Sequence, residues 1–354
     1  PNRAQSFLRD NRAVKSFKIL VAIIAISAIS NSFFAKIIEQ KLALNLRAKI
    51  INMFISPGFS QKSIQTSLGY IAYYTNDRPP WKEAETGERE TLVFLHGLGG
   101  GSSAYEWSKV YPAFAAQYRI LAPDLLGWGR SAHPKRNEQV EDYLITIEEF
   151  IKHTCTKPVT VIASGLTAAF TIRVAIATPE LFKSLILTTA AGLNELSKDY
   201  QDNFFTQLAA TPIVDRLLYN TGVATSFGIR SFLEQRQFAN KDRIDPEMVE
   251  AYLQSAKQPN AEYAALSFVR GDLCFDLTQY ITQLTTPTAL IWGQASEYTG
   301  PEVGYRLQAL NPQAIRIMYQ LNNVGFTPQL ELPAVTIGLI QQFLPQLEST
   351  VEDY

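Results

Sequence analysis

The sequence predicts an α/β fold: a mostly parallel sheet with helices on both faces, a helical cap inserted late in the chain, and an apolar helix ahead of the domain. Three observations carry this expectation. Short apolar runs of strand length alternate with helical patterns over most of the chain. One long interval, at about 193–276, breaks that rhythm and is rich in helix formers and aromatics. The run Ile19–Ala35 carries no charge at all. Apolar residues make up 46% of the 354-residue chain and charged residues 18%, which excludes intrinsic disorder and leaves ample material for one large core. A formal net charge of −1 gives no electrostatic case for nucleic acid as a partner.

Taken in order, residues 1–60 read as a membrane-associating helical segment. Ile19–Ala35 would span about 26 Å as a helix, near the lower limit for a bilayer core. Arg3, Arg9, Arg12, Lys15 and Lys18 precede it; Lys36, Lys41, Arg47 and Lys49 follow, so the charge bias that orients such segments is slight. Three readings stay open: a retained single N-terminal transmembrane anchor, which leads; a cleaved signal peptide with Ala28 and Ser30 at cleavage spacing; and a buried soluble helix. Residues 36–55 look helical, but their charges do not gather on one face, and Pro57-Gly58 ends the stretch.

Residues 61–348 read as the main domain and 349–354 as a tail. Ile64 to Thr75 alternates enough for one or two strands, and 76–90 is a polar loop. Strands follow at Thr91–Leu95, Arg119–Ala122, Val159–Ala163, Ser184–Thr188, Ala289–Trp292 and Ala314–Met318. Helices are expected at Val140–Lys152, Thr167–Thr178 and Val303–Leu310. The cap interval offers Phe204, Phe205, Leu208, Leu217, Leu218, Tyr219, Phe227 and Phe232 for packing.

Several stretches carry chemistry. They are LVFLHGLGGGSSAYEW (92–107), YRILAPDLLGWGRSAHP (118–134), VTVIASGLTAAF (159–170), ALIWGQASEYTG (289–300) and NNVGFTPQLELP (322–333). Together and in this order they resemble the α/β-hydrolase superfamily over roughly 64–346. The resemblance implies a nucleophile on a sharp strand-to-helix elbow, then an acid, then a histidine. It also implies oxyanion donors from the backbone amides of Leu98 and Leu166, a loop-orienting role for His96, and a structural turn role for Asp124.

Carried over position by position, the triad is lost. The elbow G-x-S-x-G falls on Ala163-Ser164-Gly165-Leu166-Thr167, so the nucleophile position is Gly165. The acid position after Trp292-Gly293 is Ser296, and the base position in Gly325-Phe326-Thr327-Pro328 is Phe326. Ser164 becomes the nucleophile only if the elbow slips by one residue, which places Ile162 and Leu166 where the turn needs small residues. His96, His133 and His153 are the three histidines, and none follows position 153. A serine hydroxyl is a poor nucleophile without an adjacent base. Glu297 is a displaced acid with no base to orient. The run Gly97–Gly101 lacks the lysine of a phosphate loop, and Cys155 and Cys274 suit neither a zinc site nor a disulfide framework.

The sequence thus favours a membrane-anchored pseudoenzyme, with no metal and no cofactor, that binds an apolar small molecule or a membrane-protein partner. Gly97, Leu98, Gly165, Leu166 and Phe326 would line its pocket, which Gly165 would widen. The alternatives are an esterase or lipase of hydrophobic esters using non-standard residues, and a soluble small-molecule receptor.

Overall fold

A computed structural model describes residues 54–82, 89–193 and 219–348. Its eight strands are β1 (Ser60–Thr66), β2 (Gly69–Thr75), β3 (Thr91–Leu95), β4 (Arg119–Pro123), β5 (Val159–Ser164), β6 (Phe182–Thr188), β7 (Thr288–Gly293) and β8 (Ile315–Leu321). They form one sheet in the order β1-β2-β4-β3-β5-β6-β7-β8. β1–β2 and β2–β4 pair antiparallel, and every pair from β4 to β8 is parallel. This is an α/β-hydrolase fold.

The helices between strands are α1 (Val140–Thr154), α2 (Gly165–Ala177), α3 (Ser226–Phe232), α4 (Pro246–Ala256), α5 (Ala261–Val269), α6 (Pro301–Leu310), α7 (Pro328–Glu331) and α8 (Pro333–Glu348). Every residue of β5 and β7 is buried, as expected for central parallel strands covered on both faces. On one face Phe94, Trp107, Tyr111 and Phe114 pack with Leu339, Ile340, Phe343 and Leu344 of α8. On the other, Tyr143 of α1 stacks on Phe170 of α2 at 5.1 Å.

The sequence-based elements reappear with shifted ends. α2 starts at Gly165 rather than Thr167, because the helix leaves β5 with no intervening loop. β8 runs on to Leu321. α8 escaped the periodicity reading because Pro333 opens it and Pro345 lies in its last turn; burial of its apolar face on the sheet holds it together. In the cap, Tyr219 is buried, but Phe227 is 83% exposed and does not pack on the core. Phe204, Phe205, Leu208, Leu217 and Leu218 lie outside the described residues, as does Ile19–Ala35. Among the described residues no helix is long and apolar enough to cross a membrane.

The sheet order positions the site. The chain passes from β3 to β4 on one side, then returns to β5 on the other side of β3. The crevice at the carboxyl ends of β3 and β5 is therefore a topological switch point, where loops diverge and leave room for a site. Two buried side chains set the loop after β3. His96 accepts a hydrogen bond from the Leu125 amide at Nε2 (2.9 Å), so its Nδ1–H donates to the Gly97 carbonyl (2.6 Å). Burial lowers its pKa to about 4, so the ring is neutral. Asp124 accepts the amides of Ala104 (2.7 Å) and Arg130 (2.8 Å). Its carboxyl lies against Gly129, whose φ of +53° suits glycine, and a Cβ there would stand 2.2 Å from the carboxyl carbon. Asp124→Ala leaves the buried Ala104 amide and the part-buried Arg130 amide without their acceptor. Chemical denaturation should show a loss of about 2–4 kcal/mol.

Candidate functional site

At the strand-to-helix junction Ser164 is still extended, with φ −123° and ψ 143°. Gly165 is the residue in the left-handed region, at φ +58°. The apex of the elbow is therefore Gly165. The Ser164 side chain points into the interior, is 0% exposed, and accepts a hydrogen bond from Gln329 Nε2 at 2.9 Å.

The space above Gly165 is occupied. A Cβ built on it would stand 2.9 Å from both Cε1 and Cζ of Phe326. The expectation that glycine widens the pocket is thus corrected: the glycine admits the Phe326 ring. The loop carrying Phe326 is fixed from three directions. Its amide donates to the Gln237 carbonyl (2.9 Å), and its carbonyl accepts from Thr189 Oγ1 (3.0 Å). Tyr298 meets its ring edge-on at 5.0 Å and in turn meets Phe268 of α5 at 6.4 Å. Thr189 itself sits at φ +47°, a costly conformation for a β-branched residue.

Ser296 is half-buried on the loop after β7. Its Oγ has no hydrogen-bond partner among the described residues, and Tyr298 is the residue of that loop that touches Phe326. Glu297 is exposed. The structure therefore brings two of the three triad positions, Gly165 and Phe326, into contact as a glycine and a phenyl ring.

Of the remaining pocket candidates, Leu98 and Leu166 are buried. Leu166 is the second residue of α2, so its amide is one of the first-turn donors with no intrahelical acceptor. The Gly97 amide donates to Glu106 Oε2 at 2.8 Å. Glu106 is a buried residue that the sequence reading passed over. Burial pushes its carboxyl above the ordinary range, and donors from Ser102, Gly97, Tyr252 and Gln329 pull it back. The Tyr252 hydroxyl from α4 reaches it at 3.0 Å. Gln329 links this carboxylate to Ser164, and its Oε1 accepts from Thr188 at 3.2 Å. Only its place within the Gly325–Pro333 stretch could have pointed to it.

The cap lies directly on the glycine loop. A Cβ on Gly101 would stand 2.2 Å from the Tyr252 carbonyl oxygen, and one on Gly99 would stand 2.6 Å from Phe232 Cζ. Glu331 closes the other side. It accepts the amides of Gly325 (2.7 Å), Ala239 (3.1 Å) and Asn240 (2.9 Å) and pairs with Arg243 at 2.8 Å. His133 bonds the Gly129 carbonyl at 3.1 Å, and His153 is exposed on α1. Among the described residues no cluster of histidine, cysteine or acidic side chains suits a metal ion.

A family model for the alpha/beta hydrolase fold matches residues 90–331, and the chain belongs to that family. It is 26% identical over 266 residues to the uncharacterized hydrolase YugF of Bacillus subtilis, covering 72% of this chain and 90% of that protein. It is 25% identical over 233 residues to the 2-hydroxy-6-oxo-6-(2'-aminophenyl)hexa-2,4-dienoic acid hydrolase of Metapseudomonas resinovorans, covering 63% of this chain and 73% of the relative. Among solved structures, a membrane phospholipase A described as a bacterial virulence factor superposes with a TM-score of 0.66 at 18% identity, covering 94% of this chain and 99% of that one. A serine hydrolase of carbazole degradation gives 0.63 at 19% identity, covering 81% and 99%. At these identities the structural likeness establishes the fold.

Gly165→Ser adds a Cβ in the left-handed region and against the Phe326 ring. It should cost about 1–3 kcal/mol from backbone strain, with a further loss from the clash. In a double-mutant cycle, Phe326→Ala should relieve the clash but not the strain, so the double variant should lose less than the sum of the single losses. Additivity of the two losses would contradict the contact.

Proposed function

We propose that this chain is a non-hydrolytic member of its family, which uses the hydrolase scaffold to bind a partner protein rather than to turn over an ester. The observation that carries this is the contact of Phe326 with Gly165: the ring stands 2.9 Å from where the Cβ of a nucleophile at 165 would be. Acyl transfer needs a hydroxyl at the apex and a base within hydrogen-bond reach. The apex here has no side chain, and the base position carries a hydrocarbon ring. The same ring weakens the case for an apolar small molecule held at the elbow, which leaves a protein partner as the favoured ligand. The uncharged run Ile19–Ala35 supports a membrane anchor, and with it a membrane-protein partner.

A second reading is an esterase or lipase-type hydrolase of hydrophobic esters acting through other residues. Its support is the company the chain keeps: the relatives that match it over most of their length are named as hydrolases.

One experiment separates the two readings. The full chain, exposed to a fluorophosphonate probe and to short-chain p-nitrophenyl esters, should show neither labelling nor hydrolysis above buffer. Labelling that vanishes in Ser164→Ala would establish the second reading. For the anchor, alkaline carbonate washing of native membranes should leave the chain in the pellet, and its release would remove the anchor from the proposal.

A further inference from the structure

Away from the elbow, one acidic side chain is buried with no hydrogen-bond donor on it among the described residues, its ion-pair partner Arg136 standing 3.7 Å away. Glu138 lies on the loop that leads from β4 into α1, and its side chain is 0% exposed. Neither carboxyl oxygen has a hydrogen-bond partner among the described residues. The nearest cation, Arg136, is committed elsewhere: its two terminal nitrogens hold Asp142 at 2.7 and 2.8 Å, and its distance to Glu138 is 3.7 Å.

The surroundings form a seam between core and cap. The Glu138 amide donates to Ser267 Oγ of α5 at 2.9 Å. Gly127, whose missing side chain leaves room for Ala264 of α5, has its Cβ position 3.8 Å from Glu138 Oε1 and 2.5 Å from the Ala264 methyl. From α1, Asp142 and the Tyr143 phenol face the carboxyl, and from its own loop Arg136 does. α5 brings Ser267, and Arg270 at the helix end donates to the same Ser267 hydroxyl at 3.3 Å. Arg136 at 3.7 Å is the one cation in ion-pair range among the described residues, and it is shared with Asp142, whose own carboxyl raises that of Glu138 by contact and by charge. A charge buried without partners costs several kcal/mol or is avoided by taking up a proton.

We propose that Glu138 is a proton-operated latch between the core and cap helix α5: as a carboxylic acid it lets the seam close, and as a carboxylate it drives the seam apart. The latch is independent of whether the elbow hydrolyses esters. Burial is the chief cause that pushes this carboxyl up to about 8, Arg136 pulling it down and Asp142 pushing it further up. Its folded pKa therefore lies above its unfolded value. The sign follows: the stabilising effect is complete below the unfolded value, near 4.5, and is lost as pH rises through the folded one.

The test compares equilibrium unfolding of the full chain with that of Glu138→Gln, which imitates the protonated acid, from about pH 5 to 9. Between these limits the wild-type unfolding constant should rise at least about tenfold relative to that of the variant. Parallel pH profiles would overturn the latch. The wild type alone supplies a second measurement that does not depend on the variant folding. Hydrogen exchange of α5 amides, normalised to β5, should lose protection as pH climbs through about 8. Relative protection that stays constant across that range would also overturn it.

Discussion

The Phe326 ring and the bare Cα of Gly165 share one small volume, and much of the site is arranged around that fit. A side chain at 165 would collide with the ring, and a smaller group at 326 would leave a void at the sheet's switch point. Interiors are packed closely enough that either change is felt. The contact also ties three separate stretches of chain. The elbow comes from β5, the ring from the loop before α7, and the ring's aromatic neighbour Tyr298 from the loop after β7. Thr189 holds a strained left-handed backbone at the end of β6 while its hydroxyl secures the Phe326 carbonyl. Strain of that kind persists only where surrounding packing over-determines it.

Buried carboxylates do the joining where apolar packing cannot supply direction. Glu106 gathers the glycine loop, α4 and Gln329. Glu331 gathers the Phe326 loop and the chain around Asn240. Asp124 gathers the loops after β3 and β4. In each case backbone amides are among the donors, so each acid fixes the path of the chain and not merely a neighbouring side chain. A buried acid with all its acceptor sites filled is tolerable, whereas one with none is not. Glu138 is the exception among them: no donor among the described residues bonds its carboxyl, and Arg136 stands 3.7 Å away.

Family membership rests on the matched sequence and the fold, whereas the proposed function rests on what stands against the elbow. An α/β-hydrolase scaffold hosts many functions because its sheet and helices are stable without the catalytic residues. The relatives named as hydrolases match this chain in sequence over most of their length. The elbow of this chain keeps the sharp turn that a nucleophile requires and fills it with glycine, which holds the turn without strain.

The sequence by itself determined the strand alternation, the interruption by a cap, the family, and the absence of any histidine beyond position 153. These follow from residue identity and from periods of two and 3.6, which act locally. It also led to Gly165, Ser296 and Phe326 as the positions onto which the family resemblance carries the triad. α8 stayed hidden behind its two prolines, since its stability comes from burial on the sheet. What only the tertiary structure decided is what surrounds each of these residues. Gly165 reads alone as an opening, and becomes a seat for a ring only when a residue more than a hundred positions away is brought beside it. Gln329 and Glu106 look like surface polar residues in a linear reading, yet sit fully buried on one network with Ser164. Contacts between distant segments are set by packing of the whole chain, which no local pattern encodes.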